Sequence, residues 1–418
     1  MDCNCLADAH AEMSYPGISR WRAVYRRAQR PQVRGVMILL GIVLLVSGCG
    51  SQKETVQNEV PAQAAMGRIA VFPVENLSGK VAPLAETRTL LRGSLISHGI
   101  DVVDDETLER VVTRHRVRYT AGVEKGIAKA LREEAGAEAI LIPTLELYDE
   151  ASPPKIAMFC RLVSTGDEPA VFWIDGTGMA GDDAPGILGL GLIEDPRALL
   201  ANAVESLVGS LSRYGVAIGD GPKEKSGAQK FRPKVVYRSE VVDPGKKYSI
   251  AVVPFFNRTD RKYAGEIIAL HMIRNLMAFE NFQVVEPGIV RQELLRFRII
   301  MSDGVSLPET ETILNAVNAD LVLNGEVLDY QDYRGSFGKP KVDFSVLFIE
   351  RKTRKVVYSS YSHNEGDDGV FFFDLGRVNT AHAMASQMAR AIGERMLAEG
   401  QKTQTRTGSS RESSRTQQ

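Results

Sequence analysis

Two pairs of consecutive aspartates, Asp182-Asp183 and Asp367-Asp368, each follow a glycine. Carboxylates of this kind could bind a divalent cation or share acid–base work. Consecutive carboxylates in one loop point apart, however, and neither pair has a facing partner in the sequence. We therefore predict that these four aspartates form a turn or an interface, with cation binding as the alternative.

Two Asn-x-Ser/Thr triplets, Asn76-Leu77-Ser78 and Asn257-Arg258-Thr259, fit a glycosylation sequon. Asn and Ser/Thr side chains also accept backbone N–H bonds in tight turns, and each triplet precedes a helical pattern. We predict that Asn76, Ser78, Asn257 and Thr259 build such turns. A ligand crevice at the carboxyl end of the preceding strand is the alternative.

Other candidate motifs are weaker. The glycine-rich run at 186–192 lacks the Gly-Lys-Ser/Thr ending of a phosphate-binding loop. The aromatic run Phe371-Phe372-Phe373 fits core packing, and an exposed binding patch is the alternative. None of the six histidines lies at metal-ligand spacing to another, and no His-Glu-x-x-His or Gly-x-Ser-x-Gly motif occurs. The sequence therefore predicts no catalytic residue, no metal site, no cofactor and no enzyme.

Cys49 has a different setting. An arginine-rich flank and an apolar run of 11 residues, Val36–Val46, precede it. This run is too short to span a bilayer, which takes ~20 residues, and matches the core of a signal peptide. The run ends in Val46-Ser47-Gly48-Cys49, which resembles a bacterial lipobox and implies lipid attachment (palmitate) at Cys49. A signal anchor, or a secretory signal with an accidental Cys, is the alternative.

Charge is balanced, with 51 basic and 52 acidic residues. Nucleic-acid binding requires a concentrated basic face, and no such face is visible in the sequence. We therefore expect no nucleic-acid partner.

An internal repeat organises the chain from residue 68 to about residue 400. The opening run at 69–78 recurs at 250–259 with an offset of 181, and the run at 136–150 recurs at 318–332 with Tyr148 facing Tyr330. Ordered matches with small offset drifts indicate a duplicated domain. The fold class is α/β, with two tandem repeats of a small mixed-sheet domain of about five strands with flanking helices.

Hydrophobic patterns predict the same elements in both repeats. Buried first strands lie at 69–72 and 250–253, followed by a helix and a short second strand at 100–103 and 282–285. Antiparallel hairpins and a closing helix end each unit. The predicted strands and closing helices are 138–147, 155–163, 170–176 and 197–211 in the first repeat, and 320–328, 341–349, 356–362 and 379–397 in the second.

The predicted domain boundaries follow composition. Residues 1–48 are the signal peptide, 49–67 a flexible tether, 68–212 the first repeat and 248–400 the second. The linker at 213–247 is rich in Gly, Pro and Lys, and the Ser/Thr-rich tail at 401–418 is predicted to be disordered.

The strand-Pro-x-x-Asn-x-Ser/Thr-helix pattern of both repeats resembles the amino-terminal domain of TolB and its relatives in the curli secretion channel (CsgG-like) family. It also resembles outer-membrane lipoproteins that activate peptidoglycan synthases. The resemblance implies a fold used for protein–protein contacts at the envelope. The chain lacks a β-propeller, and residues 330–340 are too few for a pair of membrane strands, which disfavours a pore-forming subunit.

Gly50 and not Asp follows Cys49, and the resemblance to bacterial lipoproteins then implies sorting to the outer membrane. We therefore expect an outer-membrane lipoprotein that faces the periplasm and is held to the membrane by its N-terminal lipid. The expected function is a non-enzymatic protein-binding adaptor in envelope assembly, secretion or cell-wall regulation, with unidentified envelope proteins as partners. One alternative is a ring-forming secretion subunit, so homo-oligomerisation is left open. The other is a hydrolase with a non-standard site.

Overall fold

The computed structural model describes residues 67–183, 191–216, 230–299, 307–333, 338–370 and 376–398. All of them belong to one compact unit, Ala62–Gln418. The described residues exclude the predicted signal peptide, Cys49, most of the predicted tether, most of the glycine-rich run, Phe371–Phe373 and the predicted tail.

The first repeat forms a five-stranded mixed sheet. Strand β3 pairs in parallel with β1 and β2 and antiparallel with β4, which pairs with β5. Helices α1 and α4 pack on one face, through residues such as Leu91 and Leu207. The elements are β1 (Ile69–Val71), β2 (Glu75–Asn76), α1 (Leu84–Ser97), α2 (Asp105–Arg114), α3 (Lys125–Ala135), β3 (Ala139–Asp149), β4 (Lys155–Ser164), β5 (Val171–Ala180) and α4 (Pro196–Val216).

The second repeat forms a seven-stranded mixed sheet in the order β6-β12-β11-β10-β7-β9, with β8 also on β10. The elements are β6 (Val235–Arg238), β7 (Tyr248–Val252), β8 (Phe256–Asn257), α5 (Ala264–Leu276), β9 (Phe282–Val284), α6 (Pro287–Arg296), α7 (Leu307–Ala316), β10 (Leu321–Gln331), β11 (Lys341–Glu350), β12 (Val356–Glu365) and α8 (Ala381–Leu397).

The two sheets have the same register. Ile69 pairs with Ala139 in the first sheet and Ile250 with Leu321 in the second, and the β-bulges at Glu146 and Leu328 also occupy equivalent positions. The predicted mixed α/β fold with two sheets and flanking helices is confirmed.

Several boundaries differ from the prediction. The closing helix α4 runs to Val216, and the predicted linker contains β6, which extends the second sheet along β12. The run Val235–Arg238 contains β-branched and aromatic residues, which favour a strand, but the surrounding Gly, Pro and Lys residues obscure it. The predicted second strand of the first repeat is reduced to one bridge, between Ile69 and Val102.

Helix ends follow local sequence. Asp104 precedes α2 and its side chain accepts a hydrogen bond from the Thr107 backbone N–H at 2.8 Å, which satisfies one free donor of the first turn. Gly99 follows α1 with a φ of 76°, a left-handed conformation that glycine adopts without strain. Among the described residues, none of the helices combines the length and apolar character required to cross a membrane.

The repeats stack head to tail. Helices α5 and α8 cover one face of the second sheet, and their outer sides also contact β5 of the first sheet. Helices α6 and α7 cover part of the opposite face of the second sheet. The layer order is therefore α1/α4, first sheet, α5/α8, second sheet, α6/α7. Helices α2 and α3 of the first repeat join the core between the two sheets, through residues such as Leu108 and Leu131.

Candidate functional site at the contact between the repeats

Glu146 projects into the contact between the repeats from a β-bulge. The pairing of β3 with β4 shifts register between Leu145 and Leu147, so Glu146 is the extra residue. Bulges re-aim a side chain relative to a regular strand. The equivalent bulge of the second repeat holds Leu328, which is largely exposed, so the buried carboxylate belongs to the first repeat alone.

Three side chains of the second repeat surround the Glu146 carboxylate. His382 on α8 places Nδ1 2.5 Å from Oε2, and His271 on α5 places Nε2 3.7 Å from the same oxygen. Tyr330 on β10 donates its hydroxyl hydrogen bond to Oε1. Glu146, His271 and His382 are 1%, 0% and 3% exposed, so solvent does not reach the cluster.

His271 is the least satisfied member. Neither of its ring nitrogens has a hydrogen-bond partner, although both are buried. Its ring packs edge-on against Phe159 of β4, with centroids 4.8 Å apart, and lies 4.6 Å from the ring of His382. A buried polar atom without a partner costs free energy, so His271 requires an explanation.

The environment sets the protonation of these groups. Burial opposes ionisation of Glu146, but the charge and hydrogen bond of His382, with His271 and Tyr330, hold its pKa down at about 2. Burial, aided by the charge of His382, keeps the pKa of His271 well below its usual value, which favours the neutral ring. Burial raises the pKa of the nearby Asp332 to about 6.

Chemically, the cluster offers one carboxylate and two imidazoles whose ligand atoms all lie within 4.8 Å of one another. Such a set can hold a divalent transition metal. It is unsuited to acid–base work on a substrate in this conformation, because a reacting molecule cannot reach side chains that solvent does not reach.

A second buried group, the Arg161–Glu286 pair, also joins the repeats. Arg161 on β4 and Glu286 at the start of α6 have side chains 3% and 0% exposed, with Nε 3.4 Å from Oε2. Glu286 Oε1 accepts hydrogen bonds from the backbone N–H groups of Val123 at 3.1 Å and Gly288 at 3.2 Å. Arg161 donates through Nη2 to the Ala121 carbonyl at 2.6 Å.

The two predicted Asn-x-Ser/Thr turns lie at this contact. Asn76 Oδ1 accepts the Ser78 N–H at 3.0 Å, and Asn257 Oδ1 accepts the Thr259 N–H at 3.0 Å. The side chains of Ser78 and Thr259 also donate to these asparagines, at 2.6 and 2.8 Å. A crevice role for the four residues stays a prediction.

Arg261 ties the second turn to the first repeat. Its Nη1 donates to the carbonyls of Leu77 and Ser78, both at 3.0 Å, and its Nη2 donates to the Glu146 carbonyl at 2.6 Å. The guanidinium therefore fixes the backbone that carries the bulge.

We expect Arg261→Met to lower the free energy of unfolding by about 2 kcal/mol, because three carbonyls lose a charged donor while the apolar stem is kept. Urea denaturation monitored by circular dichroism measures the loss. Arg258→Met is the control: its guanidinium pairs with Glu326 at 2.6 Å on the exposed surface, where an ion pair contributes ~0–1 kcal/mol. Equal losses in the two variants would contradict the assigned role of Arg261.

The aspartate pairs form separate turns. Asp183 Oδ2 accepts the Ala180 N–H at 2.7 Å, and Asp368 Oδ2 accepts the Glu365 N–H at 3.0 Å. Asp183 also contacts the second repeat, because its Oδ1 accepts a hydrogen bond from Asn379 Nδ2 at 3.2 Å. Asp367 pairs with Lys339 at 3.2 Å, and Asp182 lies near Lys155. Their role in binding other proteins stays a prediction.

The sequence analysis missed the Glu146–His271–His382 cluster. Glu146 and His382 are 236 residues apart, so a search for ligands at short spacing could not join them. One signal was present: Glu146 interrupts an apolar strand at a position where the other repeat has Leu328. A charged residue in a buried strand of only one copy indicates a role that is specific to that copy.

Comparisons with known proteins give limited information. No family model matches the chain, and no curated protein matches it by sequence. The PelC dodecamer from Paraburkholderia phytofirmans is 17% identical with a TM-score of 0.28, over 40% of this chain and 97% of that one. The LpoB C-terminal domain from Salmonella enterica is 16% identical with a TM-score of 0.24, over 34% and 93%. Lipoprotein GNA1162 from Neisseria meningitidis is 19% identical with a TM-score of 0.26, over 34% and 96%. Similarities this weak carry no argument about function.

Proposed function

We propose that the chain is a lipid-anchored, periplasm-facing outer-membrane protein that binds another envelope protein and catalyses no reaction. The lipobox-like sequence at Cys49 supports the anchor. One structural observation supports binding. In the first sheet, α5 and α8 pack against one face, and the corresponding face of the second sheet is exposed at its β6 edge, where α6 and α7 do not cover it. The TolB-like and CsgG-like kinship of the repeats is part of the same proposal.

The corresponding faces differ in what they carry. In the first sheet, β4 and β5 present Phe159, Gly176 and Gly178 to α5 and α8. In the second sheet the same face begins at the β6 edge, where Val235 and Tyr237 are 65% and 53% exposed. Exposed aromatic and aliphatic side chains on a sheet edge are typical of binding surfaces.

The occupant we infer is a different protein and not a second copy docked in the same manner. Residues paired across strands share a face, and by register Tyr361 and His363 stand where the first sheet has Gly176 and Gly178. Both side chains are held by Asp343 Oδ2, at 2.9 Å from Tyr361 Oη and 3.2 Å from His363 Nδ1. They occupy the space that a helix pair like α5/α8 would need, which disfavours a ring built by repeating the internal docking.

The hydrolase alternative predicts a surface pocket lined by acidic residues from distant segments of the chain. A pocket between β6 and α8 is instead lined by Arg232, Lys234 and Arg395, with Glu394 as the acid among its lining residues. This composition favours binding over hydrolysis, because general acid–base hydrolysis requires a facing pair of groups.

Site-specific photo-crosslinking in cells tests the binding surface. A photoreactive residue at Tyr237 should give one defined product with another envelope protein, and Val235→Lys should abolish that product. The matched control is Phe297 on the second repeat, 50% exposed, which should give no such product. A product with the mass of two copies of this chain would favour the ring alternative, and identical products from Tyr237 and Phe297 would contradict the proposed surface.

For the anchor, we expect Cys49→Ser to move the protein from the membrane fraction to the soluble periplasmic fraction and to abolish palmitate incorporation. Several acyl chains at ~0.8 kcal/mol per buried CH2 hold the native protein at the membrane. Fractionation and metabolic labelling measure both effects, with Cys5→Ser as the control that should change neither. Retention of Cys49→Ser in the membrane would contradict the anchor.

A further inference from the structure

We propose that Glu146, His271 and His382 bind one zinc ion that joins the two repeats. This goes beyond the proposed binding function and does not depend on it. The ligand atoms are Glu146 Oε2 and one ring nitrogen from each histidine, which come from β3, α5 and α8.

The three ligand atoms come close to the separations that three of the four ligands of a tetrahedral ion require. Zinc bonds of ~2.0–2.2 Å to nitrogen and oxygen place neighbouring ligand atoms roughly 3.3 Å apart. In the structure Glu146 Oε2 lies 2.5 Å from His382 Nδ1 and 3.7 Å from His271 Nε2, and all three atoms lie within 4.8 Å of one another. Small side-chain rotations bring these separations to the tetrahedral value.

The free nitrogens of His271 supply the independent observation. Both are buried and without a hydrogen-bond partner, and Nε2 is directed at the carboxylate. A histidine that only packed between the repeats would leave two polar atoms unsatisfied in a dry interior. A metal bond to Nε2 satisfies one of them.

Supporting contacts orient the carboxylate as metal ligands require. Tyr330 donates to Glu146 Oε1, which leaves Oε2 to face the histidines, and Arg261 fixes the Glu146 backbone at 2.6 Å. The nearest cation on α5, Arg274, is paired with Asp175 at 2.8 Å, so its charge is compensated. One carboxylate with two imidazoles favours zinc over calcium or magnesium, which prefer oxygen ligands.

Because the cluster is closed to solvent, the ion enters when the repeats dock and its role is structural. It links a strand of the first repeat to two helices of the second. Removal of the ion should therefore loosen the contact between the repeats before it disturbs either sheet.

The test uses the full chain without a polyhistidine tag, refolded with zinc chloride and dialysed, with bound metal measured by mass spectrometry. We expect one zinc per chain, and at least a tenfold loss in Glu146→Gln and in His271→Gln. The control is His363→Gln, whose ring lies 3.2 Å from Asp343 on the far face of the second sheet and which should retain the metal. Retention of zinc in both cluster variants, or the same loss in the control, would overturn the proposal.

A measurement on the native chain keeps the test decisive if the variants fail to fold. Refolding with Co²⁺ should give the visible absorption of cobalt bound by nitrogen and oxygen ligands, and zinc should remove it. Zinc should also raise the melting temperature by several degrees, since an ion that binds only the folded state stabilises it. A wild-type chain without the cobalt spectrum and without zinc after refolding would overturn the proposal.

Discussion

Glu286→Ala should lower the free energy of unfolding by about 3–5 kcal/mol, the largest loss that we expect from a single truncation in this molecule. The substitution leaves the Arg161 guanidinium buried, with the Ala121 carbonyl as its remaining partner at 2.6 Å. It also frees the backbone N–H groups of Val123 and Gly288, which Glu286 satisfies in both repeats.

The backbone cannot relax easily around this loss. A Cβ atom placed on Gly288 would lie 2.2 Å from the Val123 nitrogen, which shows how closely the start of α6 approaches the first repeat. Water therefore has little room to replace the carboxylate. The nearby acid that then remains for Arg161 is Glu75, whose pKa burial raises, so the charge of Arg161 stays poorly compensated. We expect urea denaturation to show a lower midpoint with cooperative unfolding retained.

Two controls separate the buried pair from a general charge effect. Glu326→Ala removes the partner of Arg258 at the surface, where both side chains are exposed, and should cost ~0–1 kcal/mol. The double variant Arg161→Met/Glu286→Ala should be more stable than Glu286→Ala, because it removes the stranded cation. A loss below about 1 kcal/mol in Glu286→Ala would show that the pair does not hold the repeats together.

The strands of the two sheets could be predicted because their information is local. Apolar runs such as Ile69–Val71 and Ile250–Val252 specify buried strands, and their recurrence predicts a duplication. Asn76 and Asn257 were also predictable, because each belongs to a short turn motif whose hydrogen bonds join residues two to four positions apart. Such signals are present in a single stretch of sequence.

The contact between the repeats could not be predicted, because nothing in either copy alone specifies how they stack. Arg161, Glu286 and His271 are each unremarkable in their own segments, and each lies beside an ionisable partner of the other repeat. Comparison of the two copies does show one difference that bears on the contact: the first has glycine at positions 176 and 178, where the second has large residues. Their counterparts, Tyr361 and His363, are large, so the two faces cannot receive the same partner.

Gly178→Val tests that argument most directly, and we expect it to lower the free energy of unfolding by about 3 kcal/mol. A Cβ atom at this position would lie 2.8 Å from the Cβ of His382, which α8 holds rigidly, so the helix must move away from β5. Overpacking of this kind costs typically ~1–3 kcal/mol, and the two added methyl groups place the variant at the upper end. Hydrogen exchange should show weaker protection in α8 than in β10.

The sign of the effect makes Gly178→Val informative. Valine stabilises a strand relative to glycine by up to ~1 kcal/mol wherever the side chain has room, since it favours extended backbone and reduces the entropy of the unfolded chain. A gain in stability would therefore show that α8 does not press on β5. Gly93→Ala, at an exposed position of α1 with no atom within 4 Å of the added Cβ, should gain about 1 kcal/mol. A loss of stability in Gly178→Val together with a gain in Gly93→Ala would establish that β5 requires glycine because the second repeat docks against it.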